Sequence, residues 1–136
     1  MMRAQIGGIS VRGPGLDGWE AARRVLRGDE PWRPSPTILP VPEFLAEREL
    51  RRASPTVRLA LGTAAAACAD AGIEPNATAG VFVSSVGDGK VIDAILRSLA
   101  TPEKLVSPTM FHNSVHNAAV AYWSIGTKTT SPATSI

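Results

Sequence analysis

The chain has 136 residues, 44% hydrophobic and 19% charged, which is the size and composition of one packed domain and excludes a disordered chain. A formal net charge of +2, dispersed arginines and an aromatic content of 5% exclude a basic stripe or a base-stacking platform, so nucleic acid is not an expected partner. One cysteine, Cys68, excludes an internal disulfide framework and most multi-cysteine metal sites. No run approaches the roughly 18 apolar residues of a membrane span. Met1 to Gly8 lacks the basic start and apolar block of a signal peptide, so a soluble cytoplasmic protein is the expectation.

Ala4 to Val11 carries Ile6, Ile9 and Val11 and closes on Gly13-Pro14-Gly15, which predicts a strand ending in a tight turn. Asp17 is placed to cap a helix with Trp19, Ala22, Val25 and Leu26 on one face. Its arginines Arg23, Arg24 and Arg27 lie near the C-terminal end, where they suit the helix dipole, and Gly28 ends the run. Five prolines between Glu30 and Pro42 fix φ and remove donors, so residues 29–43 read as an extended surface connection. Phe44 to Arg52 predicts a short charged helix.

Ser54-Pro55 pairs an N-cap with a proline at the first helical position and opens the clearest helix, which stops at Gly72. Ala64 to Ala67 and Gly62 give that helix a thin waist that other backbones can approach, which predicts a place between layers. Gly80 to Val86 reads as a buried strand entering the turn Gly87-Asp88-Gly89, and helical spacing resumes from Lys90 to Leu99. Ser107-Pro108 is a second cap and first-turn pair. Ser114 is placed to open a helix through Val115, Ala118, Ala119, Tyr122 and Trp123, closed by Gly126, and Ala133 to Ile136 opens a strand. Strands this far apart need crossovers, so the fold class is α/β.

Several motifs fail on their chemistry. Gly13-Pro14-Gly15-Leu16-Asp17-Gly18 matches a dinucleotide pattern, but the proline segment replaces the second strand and Pro14 removes an amide that would face a pyrophosphate. Gly87-Asp88-Gly89-Lys90 is not a phosphate loop, because Ser84 replaces the first glycine and Val91 the magnesium-binding hydroxyl. A strand-to-helix turn is the better reading. His112 and His116 are four apart and could share a helix face, yet two ligands do not make a metal site. Cys68 among alanines reads as a small hydrophobe rather than an activated thiol. Neither a metal nor a cofactor is expected.

In order along the chain, Ile6 to Val11 with Gly13-Pro14-Gly15, Trp19-Glu20-Ala21-Ala22, Ala67-Cys68-Ala69-Asp70-Ala71-Gly72-Ile73 and Val81-Phe82-Val83-Ser84-Ser85 resemble the first part of a β-ketoacyl synthase. The most specific block, Val106 to Ala119 with His112-Asn113-Ser114-Val115-His116-Asn117, is similar to a divergent branch that includes aryl polyene and chain-length-factor-like proteins. The resemblance implies the N-terminal part of a thiolase-like layered fold, a mixed sheet covered by helices, forming a single truncated domain over residues 1–136.

In that family the strand beginning near Ala133 leads within a few residues to the nucleophilic cysteine, and the catalytic histidines, or a histidine and an asparagine, lie further on. Cys68, His112 and His116 match non-catalytic positions, so no catalytic role carries over to them and this chain alone is expected to be inactive. Phe111, Asn113 and Asn117 are the candidates to border an acyl pocket or a subunit interface. The partners implied are an acyl carrier protein and a ketosynthase-type partner subunit or a homodimer mate. Decarboxylative condensation in fatty acid, polyketide or aryl polyene synthesis is the activity the resemblance implies for the parent. A non-catalytic chain-length-factor-like subunit and a small α/β binding module are the alternatives.

Overall fold

The structure, a computed structural model, describes residues 3–136. In chain order it contains β1 (Arg12–Gly13), β2 (Leu16–Asp17), α1 (Trp19–Leu26), α2 (Glu47–Arg52), α3 (Pro55–Ala71), a 3-10 turn at Pro75–Ala77, β3 (Gly80–Phe82), α4 (Gly89–Leu99), α5 (Pro108–Ser114), α6 (Ala118–Thr127) and β4 (Ala133–Ser135). Helices therefore carry most of the regular structure, and two small sheets accompany them.

The long helix forms as its sequence dictates. The Ser54 hydroxyl accepts a hydrogen bond from the Val57 amide at 3.2 Å, satisfying one of the free donors of the first turn, worth about 1 kcal/mol. Gly72 adopts a left-handed conformation (φ 65°) and ends the helix, its amide and that of Ile73 turning back to the Ala69 and Cys68 carbonyls. The thin waist does admit close neighbours. The Pro40 ring lies over Gly62, and Gly8 sits against the backbone of Ala67 and Ala71.

The core lies where α3 crosses α6. Leu61, Val57, Ala118, Tyr122 and Trp123 are buried together with Leu45 and Ala53, and Phe44, Leu50 and Phe82 pack around them. Trp123 is the hub, with its ring 5.4 Å from Phe44 in an edge-to-face arrangement and 5.8 Å from Phe82. Gly126 lies inside α6 because a side chain there would collide with Phe44 and Leu45, so it does not close the helix as expected. Lys128, left-handed at φ 57°, takes that role.

Several expectations change. Ala4 to Val11 forms no strand, and the tight turn instead closes the β1–β2 pair. Its hydrogen bonding goes elsewhere, with the Ile9 amide donating to the Asp70 carboxylate at 2.8 Å. Asp17 does not cap α1, since its carboxylate pairs with the Arg12 guanidinium and Gly18 stands at the cap. On α1 only Ala22 is buried, and Leu26 faces solvent. The proline segment forms neither helix nor strand, yet it is pinned to the body by Trp32 Nε1 donating to the Pro14 carbonyl at 3.0 Å and by Pro40 against α3.

The predicted mixed sheet appears as two separate pairs. β1 and β2 are antiparallel, and β3 and β4 are parallel in the register Gly80↔Ala133, Val81↔Thr134, Phe82↔Ser135. The segment α4–α5–α6 provides the crossover that a parallel pair requires. β3 is shorter than the Gly80–Val86 run and is not buried. Val81, Val83 and Val86 are exposed. No helix among the described residues is long and apolar enough to cross a membrane.

Candidate functional site

The small side chains of α3 that let backbones approach also leave space. Between α3 and the strand segment 78–84 runs a groove of about 640 Å³. Its α3 wall consists of positions 56, 57, 59, 60, 63, 64, 67 and 68, the spacing of one helical face, and Trp123 and Phe82 lie at its apolar floor. No bulky side chain on that face fills the gap, since Thr56, Ala60, Thr63, Ala64 and Ala67 occupy most of it.

Two charged side chains, Arg12 and Asp88, border the groove. Asp88 caps α4 through Oδ1, which accepts from the Val91 amide at 3.1 Å, while its buried Oδ2 has no partner among the described residues. Arg12 borders the groove with its Nε unpartnered, although its terminal nitrogen pairs with Asp17. Neither residue was singled out in the sequence as part of a site. The available signal is Asp88 between two glycines after an apolar run, a pattern that fits a plain strand-to-helix turn equally well.

The three candidate residues do not converge. Asn113 is buried and lines the groove, its Nδ2 donating to the Arg52 and Thr109 carbonyls at 2.8 and 2.9 Å. Phe111 is exposed on α5, and Asn117 is exposed at the start of α6; the groove lining includes neither. His112 and His116 do not share a helix face, because the chain turns extended at Val115 and separates α5 from α6. His112 packs edge-on against Tyr122 with ring centres 5.3 Å apart. No cluster of three or more His, Cys, Asp or Glu side chains able to hold a metal occurs among the described residues.

Burial disfavours the ionised forms of Cys68 and Tyr122. Burial pushes the Cys68 thiol above its ordinary value, so the thiolate is scarcer at a given pH than in a free cysteine. Burial also raises the Tyr122 phenol, with the Glu49 carboxylate adding to it and Arg52 and Asn113 opposing. The Asn113 side chain faces the phenol, yet Asn113 Oδ1 and Tyr122 Oη make no hydrogen bond of normal geometry, and both atoms are enclosed.

The decisive comparison is with protein families. A family model described as "Beta-ketoacyl synthase, N-terminal domain" matches residues 20–136, most of the chain. This chain belongs to the β-ketoacyl synthase N-terminal domain family. No curated protein matches it. The ketosynthase-family match takes in α3, the β3–β4 pair, the groove and the α5–α6 turn, and begins after the β1–β2 hairpin.

Proposed function

We propose that this chain is the N-terminal part of a 3-oxoacyl-[acyl-carrier-protein] synthase-like protein of fatty acid, polyketide or aryl polyene biosynthesis. The observation that carries the reading is the family match over residues 20–136. The parallel β3–β4 pair joined by a helical crossover over α3 is compatible with the first half of a thiolase-like layered body. Residues 1–136 then act as one domain, with 29–43 as its surface connection, in a cytoplasmic protein.

In such a reaction an acyl group is held as a thioester on a cysteine of the condensing enzyme. A malonyl unit on the acyl carrier protein loses carbon dioxide, and the carbanion attacks the acyl carbonyl. A carbon–carbon bond forms, and the cysteine leaves as thiolate. This chain's share is the frame: β3, β4 and α3 form part of the body, and Phe111, Asn113 and Asn117 border the acyl pocket or subunit interface. Cys68 stays outside the chemistry, in keeping with its raised pKa. The block from His112 to Asn117 favours one second reading, a non-catalytic partner resembling a chain-length factor.

The test is a condensation assay on the protein as its gene encodes it. It is supplied with acyl- and malonyl-loaded carrier protein, alone and together with a ketosynthase-type subunit. A 3-oxoacyl product from the protein alone supports a condensing enzyme acting as its own dimer mate. Product only with the added subunit, at a rate or chain length that depends on this protein, supports the partner reading. No product in either arm, and no effect on the added subunit, would overturn the proposal.

A further inference from the structure

Residues 31–39 cross the surface between two fixed ends. At the first, the Asp29 and Glu30 amides return to the Arg24 carbonyl at 2.9 and 3.3 Å, and the Glu30 carboxylate pairs with Arg24 Nε at 2.8 Å. At the second, Pro40 lies on Gly62, Arg58 donates to the Pro40 carbonyl, and Pro42 is buried. None of residues 31–39 is buried. Among the described residues only two hydrogen bonds tie this span to the rest of the chain, and both go to the β1–β2 turn. Trp32 Nε1 donates to the Pro14 carbonyl, and the Gly15 amide donates to the Ser35 carbonyl, each at 3.0 Å.

The turn is shaped for this contact. Gly15 is left-handed at φ 71°, and a Cβ there would lie 2.2 Å from the Arg33 carbonyl oxygen and 2.8 Å from Trp32 Nε1. Only glycine lets the span come so near. The span is also stiff, because Pro31, Pro34 and Pro36 fix φ at three of its nine residues. A stiff span with fixed ends gains little entropy on release, so it leaves its seat as one piece rather than residue by residue. Trp32 is 54% exposed and Ile38 62%, so apolar burial does not hold the span down.

We propose that residues 31–39 form a latched strap, which the hairpin turn holds and releases as one unit while α3, α6 and the core stay folded. Each of its two hydrogen bonds is worth about fivefold in an equilibrium, so the seated form outnumbers the released one by about thirtyfold. The released form, about 3% of molecules, lies within the range of minor states that a binding event can select. Release frees the Trp32 indole N–H, the Gly15 amide and the Pro14 carbonyl together.

Hydrogen exchange followed by NMR on the full chain tests this, because the Gly15 amide and the Trp32 indole N–H report the two bonds directly. Both should be protected about thirtyfold relative to an unstructured peptide, and by the same factor. The Leu61 amide in α3 should exchange far more slowly. Trp123→Ala should speed exchange at Leu61 and leave Gly15 unchanged, since release does not require the core to open. Trp32→Phe should raise exchange at Gly15 about fivefold and leave Leu61 unaffected.

Gly15 exchange as fast as in a peptide would mean that no latch exists, and exchange at the Leu61 rate would mean that no separate release occurs. Either result overturns the proposal, as does a Gly15 rate that Trp32→Phe leaves unchanged.

Discussion

Trp123→Ala is expected to destabilise the protein by about 3 kcal/mol, read as a fall in the urea midpoint by circular dichroism. The indole is 2% exposed and joins three parts of the chain: α6, the segment before α2 through Phe44, and β3 through Phe82. Truncating a buried aromatic ring to a methyl typically costs about 3–5 kcal/mol, because contacts and transfer energy are lost and a cavity remains. One effect works the other way. The indole Nε1 is buried without a partner, and removing an unsatisfied donor recovers part of about 1–3 kcal/mol. The cavity wins, and the expected value sits at the low end of the range. Against a total stability of about 5–15 kcal/mol this is a large fraction. A loss below about 1 kcal/mol would mean that Trp123 is not the hub of the core.

Gly62→Val should have a comparable effect through the opposite mechanism. A Cβ at this position would lie 2.2 Å from Pro40 Cγ and 2.3 Å from Pro40 Cβ, inside van der Waals contact of a rigid ring. Replacing a mid-helix glycine ordinarily stabilises by a few tenths of a kcal/mol to about 1 kcal/mol. Overpacking costs about 1–3 kcal/mol, and displacing Pro40 also strains the contacts of Arg58 Nε and Nη2 with the Pro40 carbonyl at 3.4 and 3.3 Å. The net expectation is a loss of about 2 kcal/mol, with Gly62→Ala milder. A double-mutant cycle separates the causes: Pro40→Ala should recover part of the loss in Gly62→Ala. If Gly62→Ala stabilises the protein with Pro40 in place, the close approach is wrong.

What could be read from the sequence divides along the range of the forces involved. α3 was legible because its signals are local: Ser54 and Pro55 at one end, Gly72 at the other, alanines between. The strand near Ala133 and the turn at Asp88 were legible for the same reason. Ala4 to Val11 was not, because being a strand depends on a partner, and here its amide at Ile9 finds Asp70 on α3 instead. The break between α5 and α6 carries no glycine or proline. Ser114 was expected to open the second helix, but it ends α5, and Asn117, a residue type favoured at helix starts, stands at the head of α6.

The site was less legible than the fold. The groove is made by a helix face and a strand about 20 residues apart, and by what their side chains fail to fill, which no local pattern encodes. Asn113 was named from the resemblance and lines the groove, whereas Phe111 and Asn117 lie outside that lining. Arg12 and Asp88 were missed because their importance comes from atoms left without partners after folding.

The central claim is that residues 1–136 supply the frame of a ketosynthase-like body and not its nucleophile. The most direct measurement is to incubate the protein, as its gene encodes it, with carrier protein bearing a radiolabelled acyl group and to map the label by peptide. The account predicts that no peptide within residues 1–136 carries a covalent acyl group. Label on the peptide bearing Cys68, absent in Cys68→Ala, would contradict it.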